Sequence, residues 1–187
     1  MDQEEDIAYE EALSIVKAGL SIVTGQDEWE GHMQRTPERW ATMMSDLTTR
    51  EEFDFTTFDS EGHREMVTVQ NIPFYSLCAH HLIPFFGTCS IAYVPKEKLA
   101  GLSKLPRTVR HFMRGLQVQE KLSSEIADFL VDKLDPMGVA VVLSGEHLCM
   151  TMRGVEVPGT ITHTSAMRGV FLDDTNNARA EFLALIR

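Results

Sequence analysis

Residues 66–95 read MVTVQNIPFYSLCAHHLIPFFGTCSIAYVP. MVTVQNIPFYSLC (66–78) is rich in β-branched and aromatic residues and predicts a strand, and GTCSIAYVP (87–95) predicts a second one ended by Pro95. Between them lies Cys78-Ala79-His80-His81, a thiol and two imidazoles within four residues: a metal site, a catalytic site, both or neither. Downstream, Val109, Phe112, Met113 and Leu116 form a helical stripe over 106–117 behind Pro106, and Leu122, Ile126, Phe129, Leu130 and Leu134 form another over 120–134. Asp135-Pro136-Met137-Gly138 breaks that helix. GVAVVLSGEHLCMTMRGVEV (138–157) reads as a hairpin or long strand pair, and residues 176–187 read as helix through Phe182, Leu185 and Ile186.

Upstream, Ile7, Leu13, Val16, Leu20 and Val23 recur at roughly helical spacing over 3–24, with Gly25 as the stop. Thr36 as N-cap and Pro37 at the first helical position open a second helix that should run to about Leu47. Residues 48–63 read as loop. Helices, two strands, two helices, strands and a helix make an α+β pattern with antiparallel pairing. The expected organisation is an N-terminal helical extension over 1–50 and an α+β domain over 51–187.

Composition narrows the function classes. The 187 residues carry a net charge of -11, which argues against a nucleic-acid partner, since that needs a basic surface. No apolar run reaches the ~18–20 residues of a membrane span. MDQEEDIAYEE lacks the basic-then-apolar order of a signal peptide, so the expectation is a soluble, cytoplasmic protein. Three cysteines without a secretory signal argue against a disulfide framework.

Cys78-x-x-His81 offers a soft thiolate and an imidazole, and Cys149 follows His147 in EHLCM. Structural zinc sites close with four protein ligands, whereas catalytic ones use three and keep a position for water. Three candidates without a fourth cysteine therefore favour catalysis, with His80 and His147 as flanking acid–base groups. A buried cysteine and a structural histidine fit the same spacing. Cys89, in an alternating strand with no histidine beside it, reads as core.

SKLPRTVRHFMRGLQVQ (103–119) holds Lys104, Arg107, Arg110 and Arg114 and no acid, a local reversal of sign. Lys104 and Arg107 lie at the start of a predicted helix, where backbone N–H groups also favour an anion. Arg153 brings a further cation near Cys149. These three suit a phosphate ligand, whereas Arg110 and Arg114 read as a solvated helix face.

CAHHLIPFFG, IAYVP, GLSKLPR, QVQEKL, EHLCMTMRGV and Thr162-His163-Thr164 together resemble GTP cyclohydrolase I, in order and with matching intervals. The resemblance is dense from about Met66 to Phe171, and Thr36-Pro37-x-Arg39 is similar to the family's TPxR element. It implies the tunnelling fold, an antiparallel four-stranded sheet with a helix pair inserted between strands two and three. It also implies a homo-oligomer, a decamer of two pentameric rings with active sites at subunit interfaces. The implied cofactor is Zn2+ on Cys78, His81 and Cys149, with His80 and His147 in proton transfer. Gln119 and Glu120 match the pair on the guanine edge; Ser103, Lys104, Arg107 and Arg153 match contacts to ribose or triphosphate. The implied reaction attacks C8 of GTP, opens the ring, releases formate and recloses it to 7,8-dihydroneopterin triphosphate.

This chain departs from the family at three places. It has Ala79 where the family reads CEHH, Thr42 where a lysine is common, and Gly115 where an arginine precedes QVQE. A hydrolase for another purine nucleotide, deoxy or in another phosphate state, stays open, as does a purine- or pterin-binding relative with little GTP turnover.

Overall fold

A computed structural model describes residues 3–26, 28–173, 175 and 177–187. The side chains of residues 3–9, Ile7 among them, lie outside the described ones, as does Asn176. The chain separates into two compact units, Met1–Thr48 and Thr49–Arg187.

The first unit is helical. Helix α1 (Gln3–Thr24) stops at Gly25, whose φ of 69° suits a residue without a Cβ. Trp29 donates its indole N–H to Ser21 Oγ at 2.9 Å, tying the following segment back onto α1. Helix α2 (Thr36–Thr48) opens on Thr36-Pro37, where the missing proline N–H would have had no helical partner.

In the second unit a small sheet pairs β1 (Thr57–Asp59) with a later strand, and the larger sheet begins with β2 (Val67–Cys78) and β3 (Pro84–Val94). β4 (Lys98–Ala100), the partner of β1, is followed by α3 (Lys104–Phe112), β5 (Leu116–Gln117) and α4 (Gln119–Leu134). β6 (Gly138–His147), α5 (Leu148–Thr151), β7 (Ile161–Gly169) and α6 (Ala178–Leu185) follow, with a short 3-10 turn over Val170–Leu172 between the last two. The larger sheet has the order β5-β2-β3-β6-β7, antiparallel except for the short β5–β2 pair. The helices α3 and α4 lie between the second and third long strands, the α+β arrangement expected of the tunnelling fold.

Several expectations are corrected. The helix read over 106–117 begins at Lys104 and ends at Phe112, because Gly115 at φ 102° turns the chain so that Leu116 and Gln117 can pair with Leu77 and Cys78. The segment 138–157 is not a strand pair. β6 ends at His147, a short helix carries Cys149, and the true partner strand is Ile161–Gly169. The alternation in Gly154-Val155-Glu156-Val157 misleads, since Val155 and Val157 are exposed in a loop. The loop read over 48–63 contains β1, and β3 starts at Pro84 rather than at 87.

The core lies between one sheet face and the helix pair. Ile72, Phe74, Phe85, Cys89, Ile91, Tyr93, Val139, Val141 and Leu143 meet Leu105, Val109, Leu122, Ile126, Leu130 and Leu134. On the other face Phe171 and Phe182 cover Ala92, Val94, Ala140 and Met167. In β2, Val67 and Val69 sit at odd positions, whereas Ile72, Phe74 and Cys78 sit at even ones, yet all contribute to the same core. A bulge between Val69 and Ile72, with Asn71 at φ 59°, switches the phase of the pleat.

Gly87 and Gly145 face each other in the β3–β6 register. A Cβ on Gly87 would fall 1.9 Å from the Ser144 carbonyl oxygen, a clash with backbone that a rotamer change cannot relieve. Gly87→Ala is therefore expected to destabilise the fold by about 3 kcal/mol or more. Denaturant melts checked against wild type test this, and an unchanged midpoint would refute it.

Candidate active site

The end of β2, the start of α4 and the end of β6 converge on one cleft. Past Cys78 the chain turns at once: the N–H groups of His81 and Leu82 both donate to the Cys78 carbonyl, at 3.3 and 2.9 Å, and Leu82 adopts φ 54°. The Cys78 N–H donates to the Ile83 carbonyl, closing the loop, and the Ala79 N–H donates to the Gln117 carbonyl at 3.0 Å. That last bond ties the Cys-Ala-His-His turn to the segment leading into α4. Ala79 itself is exposed.

The turn leaves Cys78 buried and His81 exposed, with the Cys78 sulfur 3.7 Å from His80 Nδ1 and 3.9 Å from His81 Nδ1. On the β6 side, α5 presents Cys149. Donor atoms of Cys78, His81 and Cys149 all lie within 4.8 Å of one another, a group that could hold a metal ion. Burial pushes the Cys149 thiol up, and the neighbouring Cys78 adds to this, while the charge of Arg153 opposes it. Arg153 is thus close enough to act on Cys149 electrostatically.

His147 ends β6 opposite Phe85, and that register stacks the two rings at 4.6 Å with an interplanar angle of 5°. Burial lowers the basicity of His147, and the nearby Glu120 charge partly restores it. Gln119 is buried and its side chain is committed to the protein. Nε2 donates to the Thr162 carbonyl at 2.9 Å and approaches Thr164 Oγ1 at 3.2 Å and the Leu143 carbonyl at 3.4 Å. Gln119 Oε1 lies 2.8 Å from His147 Nε2. Glu120 sits in the first turn of α4, where the helix dipole favours a carboxylate. The shared cleft, about 230 Å³, is lined by Cys78, His80, Gln119, Glu120, His147, Cys149 and Thr162, among others.

The remaining candidates lie elsewhere in this unit. Ser103 and Arg107 line a second cleft of about 380 Å³ with Arg110, His111 and Arg114, and Lys104 is the first residue of α3. Arg110, on the rim of this cleft, pairs with Glu51 at 3.2 Å. Cys89 is fully buried, and burial pushes its thiol far up, as suits a core residue. Sequence reasoning missed Phe85 and the anchoring role of Thr162 and Thr164. Only the strand register reveals them, although Thr162-His163-Thr164 stood out as a motif.

A profile of the GTP cyclohydrolase I family matches residues 14–187. GTP cyclohydrolase 1 of Aquifex aeolicus (strain VF5) is 53% identical over 164 residues, covering 87% of this chain and 89% of that protein. GTP cyclohydrolase 1 of Geobacillus sp. (strain WCH70) is 45% identical over 186 residues, 97% of this chain and 98% of that protein. Among solved structures, an archaeosine synthase QueF-Like in the apo form aligns with a TM-score of 0.44 and 17% identity over 56% of this chain and 93% of that chain. With a family profile spanning most of its length and relatives identical at about half of their positions, the chain belongs to the GTP cyclohydrolase I family.

Proposed function

We propose that this protein is a zinc-dependent hydrolase that converts GTP to 7,8-dihydroneopterin triphosphate and formate. The observation that carries the reading is the convergence of Cys78, His81 and Cys149 within 4.8 Å beside a cleft that also holds His147 and Glu120. Two soft thiolates and an imidazole suit zinc, and three protein ligands leave a coordination position open, as catalytic zinc sites do. Zinc held there supplies a Lewis acid that makes hydroxide available at neutral pH by lowering the pKa of water from 15.7 towards ~7.

The chain's own residues do the rest. His147 donates a proton to N7 of the purine, which makes C8 electrophilic. Its burial weakens its hold on that proton and so makes it the better acid. His80, on the same cleft, serves the later proton transfers of ring opening, formate release and reclosure. Glu120 accepts the guanine N–H groups. Adenine lacks the matching donors and would leave the carboxylate unpaired, at a cost of about 1–3 kcal/mol.

Ser103, Lys104, Arg107 and Arg153 take the ribose and triphosphate. Ser103 and Arg107 line a different cleft from Cys78 and His147, whereas Arg153 acts beside Cys149, so the site is read as completed by a second copy that sets its Ser103, Lys104 and Arg107 against the metal-binding residues and Arg153 of the first. This supports a homo-oligomer with interfacial sites, read as a decamer. The product is a pterin of the kind used in tetrahydrofolate biosynthesis. Among the described residues no helix is long and apolar enough to cross a membrane. A cytoplasmic location is part of this proposal.

Protein loaded with zinc and given GTP is expected to release formate in a 1:1 ratio to a product that fluoresces as neopterin after oxidation. Bound zinc with neither product would sink the proposal. Running dGTP, GDP and GMP in parallel addresses the second reading, another purine nucleotide, which Ala79 favours by leaving the turn without a carboxylate beside His80.

A further inference from the structure

Within the cleft, the Gln119 side chain is engaged by the protein at both ends. Its carboxamide can be oriented from its partners alone. The Thr162 carbonyl, the Thr164 hydroxyl and the Leu143 carbonyl crowd one end, at 2.9, 3.2 and 3.4 Å. Two of the three are carbonyl oxygens, which only accept, so that end must be the NH₂ group. The other end is then the carbonyl oxygen, and it lies 2.8 Å from His147 Nε2. An amide oxygen also only accepts, so the imidazole must donate, and Nε2 must carry hydrogen.

Two further features hold this arrangement. The Phe85 ring lies parallel to the imidazole at 4.6 Å, which fixes its plane. Position 145 is glycine, and a Cβ there would come within 2.6 Å of Gln119 Oε1 and 3.2 Å of Phe74 Cζ. The absent side chain is the space that the amide oxygen occupies.

We propose that Gln119 is a positioning residue that keeps His147 in the Nε2–H tautomer, so that Nδ1 is the atom at which His147 exchanges a proton with substrate. This inference rests on the role of His147 proposed above. A neutral imidazole has one N–H; with that hydrogen committed to Gln119 Oε1, the lone pair stands at Nδ1 and the protonated ring donates from there. The resemblance pairs Gln119 with Glu120 on the guanine edge. In this chain the edge falls to Glu120, and Gln119 acts through the histidine.

Two variants and two readouts test the assignment. Gln119→Met keeps the side-chain length without an acceptor, and Gly145→Ala leaves Gln119 in place but pushes a methyl group into its oxygen. Nitrogen-15 solid-state NMR of histidine-labelled protein, with His147 assigned by its absence in a His147→Asn variant, is expected to show a single Nε2–H tautomer in wild type. Each variant should show a mixture. Steady-state kinetics should show kcat lowered about 10²-fold with the KM for GTP within about twofold. An Nδ1–H tautomer in wild type, or an unchanged tautomer in both variants, would overturn the proposal. A raised KM at constant kcat would also do so, since it would make Gln119 a substrate contact. The nitrogen signature needs no turnover, so a protein that fails to open GTP would sink the proposed activity without deciding this point.

Discussion

Cys149→Ala is expected to strip the protein of its metal and lower GTP turnover by at least about 10³-fold, well beyond the 10–100-fold loss typical of a residue that only supports a ligand. The three donor atoms lie within 4.8 Å of one another, and no other described group of three His, Cys, Asp or Glu side chains could hold a metal. Metal analysis of the purified variant, with Cys89→Ala as control, checks this. Cys89 is fully buried in the core and should keep a full equivalent. Full metal in Cys149→Ala would defeat the ligand assignment. The sign of the pH dependence follows from the same site. Burial and the adjacent Cys78 raise the Cys149 thiol, so capturing a metal must expel its proton. Affinity should therefore fall as pH falls, by about tenfold per unit for each thiol that is still protonated in the free protein.

His147→Asn should separate chemistry from metal binding. A positioned proton donor is worth roughly 10²–10⁴-fold, and turnover should fall within that range. The metal should stay, because His147 is outside the Cys78, His81, Cys149 group. Metal analysis and formate release on the same preparation give both answers. Loss of the metal along with the activity would make His147 a ligand and remove it from the proton-transfer role.

The fold and the chemistry were legible to different depths. The strand ending at Cys78, the helix over Gln119–Leu134 and the α+β order were readable because periodicity and breakers such as Asp135-Pro136 act locally. The Cys-His-Cys set was readable because few residue types bind soft metals. Strand β7 was missed because Ile161-Thr162-His163-Thr164-Ser165 is largely polar: its outer half is exposed, and Thr162 and Thr164 are spent on Gln119. The turn at Gly115 and the two-residue β5 escaped because a helical stripe ran past them through Leu116. The stacking of Phe85 on His147 depends on a register that joins residues 62 positions apart, which no local pattern carries.

The bulge at Asn71 gives the candidate metal site a parity. Each residue added to a strand reverses which face the next side chain takes, so β2 counts in twos. The extra residue near Asn71 makes the count come out right for both Val67 at one end and Cys78 at the other. Length changes between them are therefore unequal in kind. Removing or adding a single residue would turn the thiol away from His81 and Cys149, whereas a change of two would shorten or lengthen the strand and leave the thiol facing its partners. Cys78 thus inherits its direction from an irregularity seven residues upstream, and a comparison of chains with length variation in this strand should find it in even steps.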